Sequence, residues 1–154
     1  PIVVGIESSP TVFTGLEIAP IPDPYPVITI DPVDGTIENV SGNFLIMDGT
    51  IAVQPVKSGG GVSQLDIATL TAFDGVNFSP TPFSLRNFEI ANNGESFLTS
   101  PAAFLLPPGA KTRFICWVSG GGIITLTSPT GNPSGEPVFG ASVSISLHGH
   151  IYPV

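Results

Sequence analysis

Ala141-Ser142-Val143-Ser144-Ile145-Ser146-Leu147-His148-Gly149-His150-Ile151-Tyr152 alternates in character over its whole length. Val143, Ile145, Leu147, Gly149 and Ile151 fall on one side. Ser142, Ser144, Ser146, His148, His150 and Tyr152 fall on the other. Successive strand residues point to opposite faces of a sheet, so a period of two over this span predicts a β-strand with one apolar face.

The same reading extends through the chain. Leu65, Ile67, Thr69, Thr71 and Phe73 alternate with their neighbours and read as a strand, with a short helix around Gln64–Leu70 as the alternative. Short β-branched and aromatic runs at 27–30, 36–40, 83–91 and 104–106 are separated by turn dipeptides such as Asp34-Gly35 and Asp74-Gly75. Prolines and glycines break any helical period. Two hairpins are predicted. One joins residues 43–47 to 50–56 through Asp48-Gly49, because Asp-Gly suits the positive φ values of a tight turn. The other joins 111–118 to 123–127 across Ser119-Gly120-Gly121-Gly122, and Ser58-Gly59-Gly60-Gly61 reads as another hairpin tip. Asn92-Asn93-Gly94 is expected to turn strand 83–91 into a partner at 95–99. The expected fold is all-β, an antiparallel β-sandwich or jelly roll of about 8–10 short strands.

The 154 residues suit one domain. Charged residues make up 10% of the chain, against about 25% in average globular proteins. With 42% hydrophobic residues the composition is not that of a disordered chain. Apolar runs such as 44–47 fall far short of the roughly 18 residues of a membrane helix, so no membrane partner is expected. A surface so poor in charge is suited to being covered by another subunit. Twelve acids against four cations, Lys57, Arg86, Lys111 and Arg113, give a net charge of −8. Nucleic-acid binding needs a basic footprint, so no nucleic-acid partner is expected.

Pro20-Ile21-Pro22-Asp23-Pro24-Tyr25-Pro26 places proline at alternate positions. That pattern removes every second amide donor and reads as a stiff, polyproline-like segment. Residues 1–26 are accordingly read as an extended N-terminal arm, with Pro20, Pro22, Pro24, Tyr25 and Pro26 available to dock on a neighbour, and 27–154 as the β-sandwich body. No basic start followed by an apolar stretch marks a secretory signal, so synthesis in a host cytoplasm is expected.

Catalytic signatures do not emerge. There is no Gly-x-Ser-x-Gly elbow, and neither glycine-rich segment carries the Gly-Lys-Ser/Thr ending of a phosphate loop. Asp31, Asp34 and Glu38 lack the spacing of a calcium loop. Cys116 sits in the apolar run 114–118 and reads as a buried, inert thiol. No catalytic residue and no bound cofactor is expected. Asn39-Val40-Ser41 and Asn77-Phe78-Ser79 match the glycosylation acceptor pattern by chance.

Two features suggest binding. His148 and His150, two apart on a strand, point to one side; three such pairs around a three-fold axis would offer six nitrogens to one metal ion. The pattern resembles the His-x-His of trimeric phage spike tips. Trp117 shares a strand side with Arg113 and Ile115 and is a candidate ligand contact for a glycan receptor, as is the polar loop 128–140.

Residues 105–118, Leu-Leu-Pro-Pro-Gly-Ala-Lys-Thr-Arg-Phe-Ile-Cys-Trp-Val, read as a turn into a hairpin that leads through a long loop to the terminal strand. This rhythm over residues 28–154 resembles the trimeric jelly rolls of the tumour-necrosis-factor and complement C1q type, and phage capsid decoration, head-fibre and spike proteins. The resemblance implies a homotrimer at the virion surface that contacts its own copies and the major capsid or other virion proteins. It implies a viral structural role without catalysis. A carbohydrate- or receptor-binding β-sandwich module is the alternative expectation.

Overall fold

The computed structural model describes residues 2–13, 28–31, 33–53, 55–90, 97–99, 104–126 and 143–152. Every regular element among them is a strand: β1 (Ile2–Val3), β2 (Thr11–Val12), β3 (Ile28–Asp31), β4 (Thr36–Asn39), β5 (Phe44–Val53), β6 (Pro55–Ser58), β7 (Ser63–Ala72), β8 (Ser79–Pro80), β9 (Arg86–Ile90), β10 (Phe97–Thr99), β11 (Phe104–Leu106), β12 (Lys111–Gly120), β13 (Ile123–Leu126) and β14 (Val143–Tyr152). All strand ladders are antiparallel. The fold class is the all-β class read from the sequence, an antiparallel sandwich.

Among the described residues the strands form three sheets. The largest is built on the ten-residue β7–β12 ladder; β2 and the β3–β4 hairpin flank β12, and β8 and β9 flank β7. A three-stranded sheet runs β1-β13-β6. In the third, β5 pairs with β14 along its full length and with β10 and β11 at its two ends.

The core lies between the β7–β12 sheet and the β1-β13-β6 sheet. Leu65 and Ile67 of β7 and Phe114 and Cys116 of β12 pack with Ile124 and Leu126 of β13, Val4, Phe13, Ile37 and Ile90. Burying each of the larger apolar side chains contributes about 1.5–3 kcal/mol. Leu45, Leu106 and Ala110, with Ile28 packed beside them, form a second cluster where the β5 sheet joins. One end of the inward face is polar: Thr69, Thr71, Thr81, Ser84 and Thr112 are all buried. Thr71 and Thr81 hydroxyls meet at 2.6 Å, the Thr69 amide donates to Ser84 Oγ, and Thr112 Oγ1 donates to the Leu70 carbonyl.

The two predicted hairpins are not formed. β5 runs unbroken through Asp48-Gly49, because its ladder with β14 pairs Asp48 with His148 and Gly49 with Leu147. Strand pairing along ten residues outweighs the local turn preference of two. The glycine segments are likewise not hairpin tips. β12 pairs with β7, whereas β13 pairs with β6. Ser63 opposite Gly120 ends the first ladder, and Ser58 opposite Ile123 begins the second. A single two-stranded ribbon therefore bends from one sheet into the other, with residues 59–62 of one strand facing Gly121 and Gly122 of the other. Strands that switch sheets by a bend make the corners of β-sandwiches. The backbones approach closely here: a Cβ on Gly59 would lie 3.1 Å from Gly122 Cα, and one on Gly121 3.1 Å from the Gly60 carbonyl oxygen. Lys57, itself buried, donates its ammonium to the Gly61 carbonyl, and Ser63 Oγ donates to that of Gly121.

Other expectations are corrected in the same way. β9 starts at Arg86, because Phe83 takes a left-handed φ of 62° and Ser84 closes a turn on the Thr81 carbonyl at 3.3 Å. The strand that follows pairs with β7, and β10 pairs with β5, so 83–91 and 95–99 do not form a hairpin. The first half of the expected arm belongs to the body: β1 and β2 pair into sheets, and Val4 and Phe13 are buried in the core. Pro20, Pro22, Pro24, Tyr25 and Pro26 lie outside the described residues, as does the loop 128–140.

Candidate functional site

The outer face of the largest sheet carries a cleft of about 440 Å³, lined by Thr29 and Asp31 of β3, Asp34, Thr36 and Glu38 at the β3–β4 turn and β4, Lys111 and Arg113 of β12, and Gly75, Val76 and Phe78. Alternation puts these side chains together. Ile28, Ile30, Ile37 and Phe114 point to the core, so the residues between them point out. Register then aligns Thr29, Glu38 and Lys111 in one cross-strand row.

Arg113 organises the cleft. Its Nη2 lies 2.6 Å from Asp34 Oδ2, a charge-assisted hydrogen bond, and its Nε donates to Thr36 Oγ1 at 2.8 Å. The guanidinium lies over the Phe78 ring, 4.2 Å from its centroid. Hydrogen bonding from Thr36, with the attraction of Arg113, holds the Asp34 carboxyl below its ordinary pKa despite some opposing desolvation. One strand repeat away, Lys111 Nζ and Glu38 Oε2 are 3.9 Å apart, a looser pair with both side chains about one-third exposed.

Two turns shape the rim. Asp31 Oδ1 accepts the Val33 amide, and Asp34 Oδ1 accepts the Thr36 amide, both Asx-type bonds that set the β3–β4 hairpin. Gly35 closes that hairpin at φ 71°, with its Cα side against the Phe13 carbonyl. On the other wall, Asp74 accepts the Val76 and Asn77 amides at 2.8 and 2.7 Å and the Asn77 side chain at 2.7 Å. These bonds, led by that from the Asn77 amide, lower the Asp74 pKa to about 2.

Of the residues singled out by sequence, Asp31, Asp34 and Glu38 line this cleft, whereas Trp117 does not. Trp117 is half-buried on the same outer face, opposite Asp66 in register. Asp66 is buried and accepts hydrogen bonds from the side chains of Gln64, Asn87 and Ser119. The backbone of β14 sets His148 opposite Asp48 and His150 opposite Ile46, and their side chains lie outside the described residues. Among the described residues no group of three or more His, Cys, Asp or Glu could hold a metal ion. Cys116 is buried, and burial pushes its thiol pKa up to about 12. Asn39 is fully buried and fully bonded, which rules it out as an acceptor site for glycosylation in the folded protein; Asn77 is exposed.

The cleft was partly legible. Lys111-x-Arg113 and Thr36-x-Glu38 are i, i+2 pairs, and a strand puts such pairs on one side. Phe78 carried no signal, because it comes from an irregular segment just before β8 whose placement depends on the tertiary fold.

A scan against protein-family models returned no match, and neither did a search of curated proteins or a search of solved structures.

Proposed function

We propose that this chain is a non-enzymatic structural protein of a virus particle, a decoration or fibre component that assembles with its own copies, most simply as a trimer. The observation that carries this reading is the outer face of the β1-β13-β6 sheet. Register sets Val3, Thr125 and Val56 in one row and Ile123 beside Ser58 in the next. None of the five is charged. Val3 is 63%, Ile123 55% and Val56 39% exposed. Their strand neighbours Ile124, Leu126 and Lys57 point the other way and are buried. A sheet face of exposed β-branched residues is stabilised by covering, in proportion to the apolar area removed from water. Further copies of the chain carry the same uncharged face and can cover it without burying a charge. The proline-rich stretch 20–26 would tether the assembly to the shell, and His148 with His150 would supply ligands for a metal on the trimer axis.

Light scattering on the purified chain tests the reading. The expected native mass is that of three chains, falling toward one chain for Ile123→Lys combined with Val56→Lys, with an unchanged far-UV circular dichroism spectrum. Loss of the trimer in a strong chelator would add the axial metal. A monomeric parent protein at high concentration would overturn the self-association on which the proposal rests.

A further inference from the structure

We infer that the Arg113 cleft is a binding site for a neutral, hydroxyl-rich ligand of the saccharide class. It lies on the other layer of the sandwich from the face proposed for self-association, and it stands whether or not that proposal does. Its volume of about 440 Å³ falls in the range of small-molecule sites.

The chemistry of the walls selects the ligand class. An anion would meet the carboxylates of Asp31, Asp34 and Glu38. A metal cation would find those carboxylates already engaged, by the Val33 amide, by Arg113 and by Lys111. An apolar ligand would leave the charged walls desolvated and unmatched. A polyol needs donors and acceptors side by side without net charge at each contact. Two opposed ion pairs, Arg113–Asp34 and Lys111–Glu38, with the hydroxyls of Thr29 and Thr36, supply that arrangement. The Arg113–Asp34 pair is also ordered in advance. Phe78 supports the guanidinium plane, Thr36 anchors its Nε, and backbone amides hold Asp31 and Asp34. Preorganised polar groups cost a ligand less to engage than mobile ones. Val76, 74% exposed, and Phe78 give the apolar surface on which the C–H face of a sugar ring can rest.

The test is an amide NMR titration of the ¹⁵N-labelled chain with glucose, galactose, mannose and N-acetylglucosamine separately, and with calcium chloride and sodium phosphate. At least one of the sugars is expected to give saturable shifts confined to residues 29–38, 75–78 and 111–113. Glu38→Gln should weaken that binding by about tenfold or more while keeping the parent urea midpoint within error, and Phe78→Ala should weaken it likewise with an unchanged far-UV circular dichroism spectrum but a lower midpoint, since the Arg113 guanidinium loses its support. Trp117→Ala should leave it unchanged. No saturable response to any of the four sugars, saturation by calcium or phosphate in their place, or sugar binding that depends on Trp117 and ignores Glu38 would each overturn the assignment.

Discussion

Asn39, at the end of β4, donates its side-chain Nδ2 to the Leu106 carbonyl oxygen of β11 at 2.7 Å, joining two sheets through residues 67 apart in sequence. The same Nδ2 donates to the Asn43 carbonyl, and Asn39 Oδ1 accepts from the Ser41 amide and hydroxyl. Its backbone completes the junction: the Asn39 amide donates to the Ala110 carbonyl, and the Gly109 amide donates to the Asn39 carbonyl. A buried amide side chain with every bond made is stabilising, and removing it orphans its partners. Asn39→Ala is therefore expected to cost about 2–4 kcal/mol, because the Leu106 carbonyl and the Ser41 amide lose this side chain together, while the Asn43 carbonyl keeps the Ser41 hydroxyl at 3.3 Å. Urea unfolding of the variant checks this; a loss below about 1 kcal/mol would show that the junction is held by the Leu45, Leu106 and Ala110 contacts instead.

The corner of the bent ribbon makes a second demand. Gly120 has φ 92°, and a Cβ there would stand 2.8 Å from the Val62 carbonyl oxygen. Both the backbone conformation and the contact exclude a side chain. Gly42 has φ 74° but open space around it. Comparing alanine at the two positions separates the effects. Gly42→Ala should cost about 1 kcal/mol from backbone strain, whereas Gly120→Ala should cost about 2–4 kcal/mol because the two chains at the corner must also move apart. Equal costs in a denaturant titration would mean that the corner opens freely.

Where sequence reading succeeded and failed divides along one physical line. Period-two alternation carried β7 and β14, because burial of one face acts at every second residue of a strand. The turns at Asp34-Gly35 and Asp74-Gly75 were also legible: each aspartate bonds the backbone just ahead, and the glycine takes positive φ. Asp48-Gly49 has the same letters, yet it lies inside a ladder with β14. Pairing to residues about a hundred positions away is not written locally. The glycine-rich segments misled for a related reason. Each looks like a tip by itself, and only their mutual packing shows that they are two halves of one corner. The cleft was visible as fragments, the Asp31–Glu38 acids and the Lys111-x-Arg113 cations, but which fragment meets which depends on the β4–β12 pairing.

The Asp74 turn, which forms one wall of the cleft, makes stability depend on acid. Hydrogen bonds from the Asn77 and Val76 amides hold this carboxyl at a pKa of about 2, against an ordinary 3.8. A carboxyl depressed in the folded state binds its proton more readily in the unfolded chain. Its contribution is therefore complete above the unfolded value and is lost as pH falls from about 4 toward 2. Asp74→Ala should lower the urea midpoint most at neutral pH, and the gap from the parent protein should close progressively below about pH 4. Asp34, also depressed, remains in both proteins and so drops out of the comparison. Urea midpoints measured across that range decide the matter. A gap of constant size down to about pH 2 would mean that the Asp74 charge adds nothing, and that the turn is held by Gly75 at φ 77° and by the hydrogen bond its amide donates to the Ala72 carbonyl.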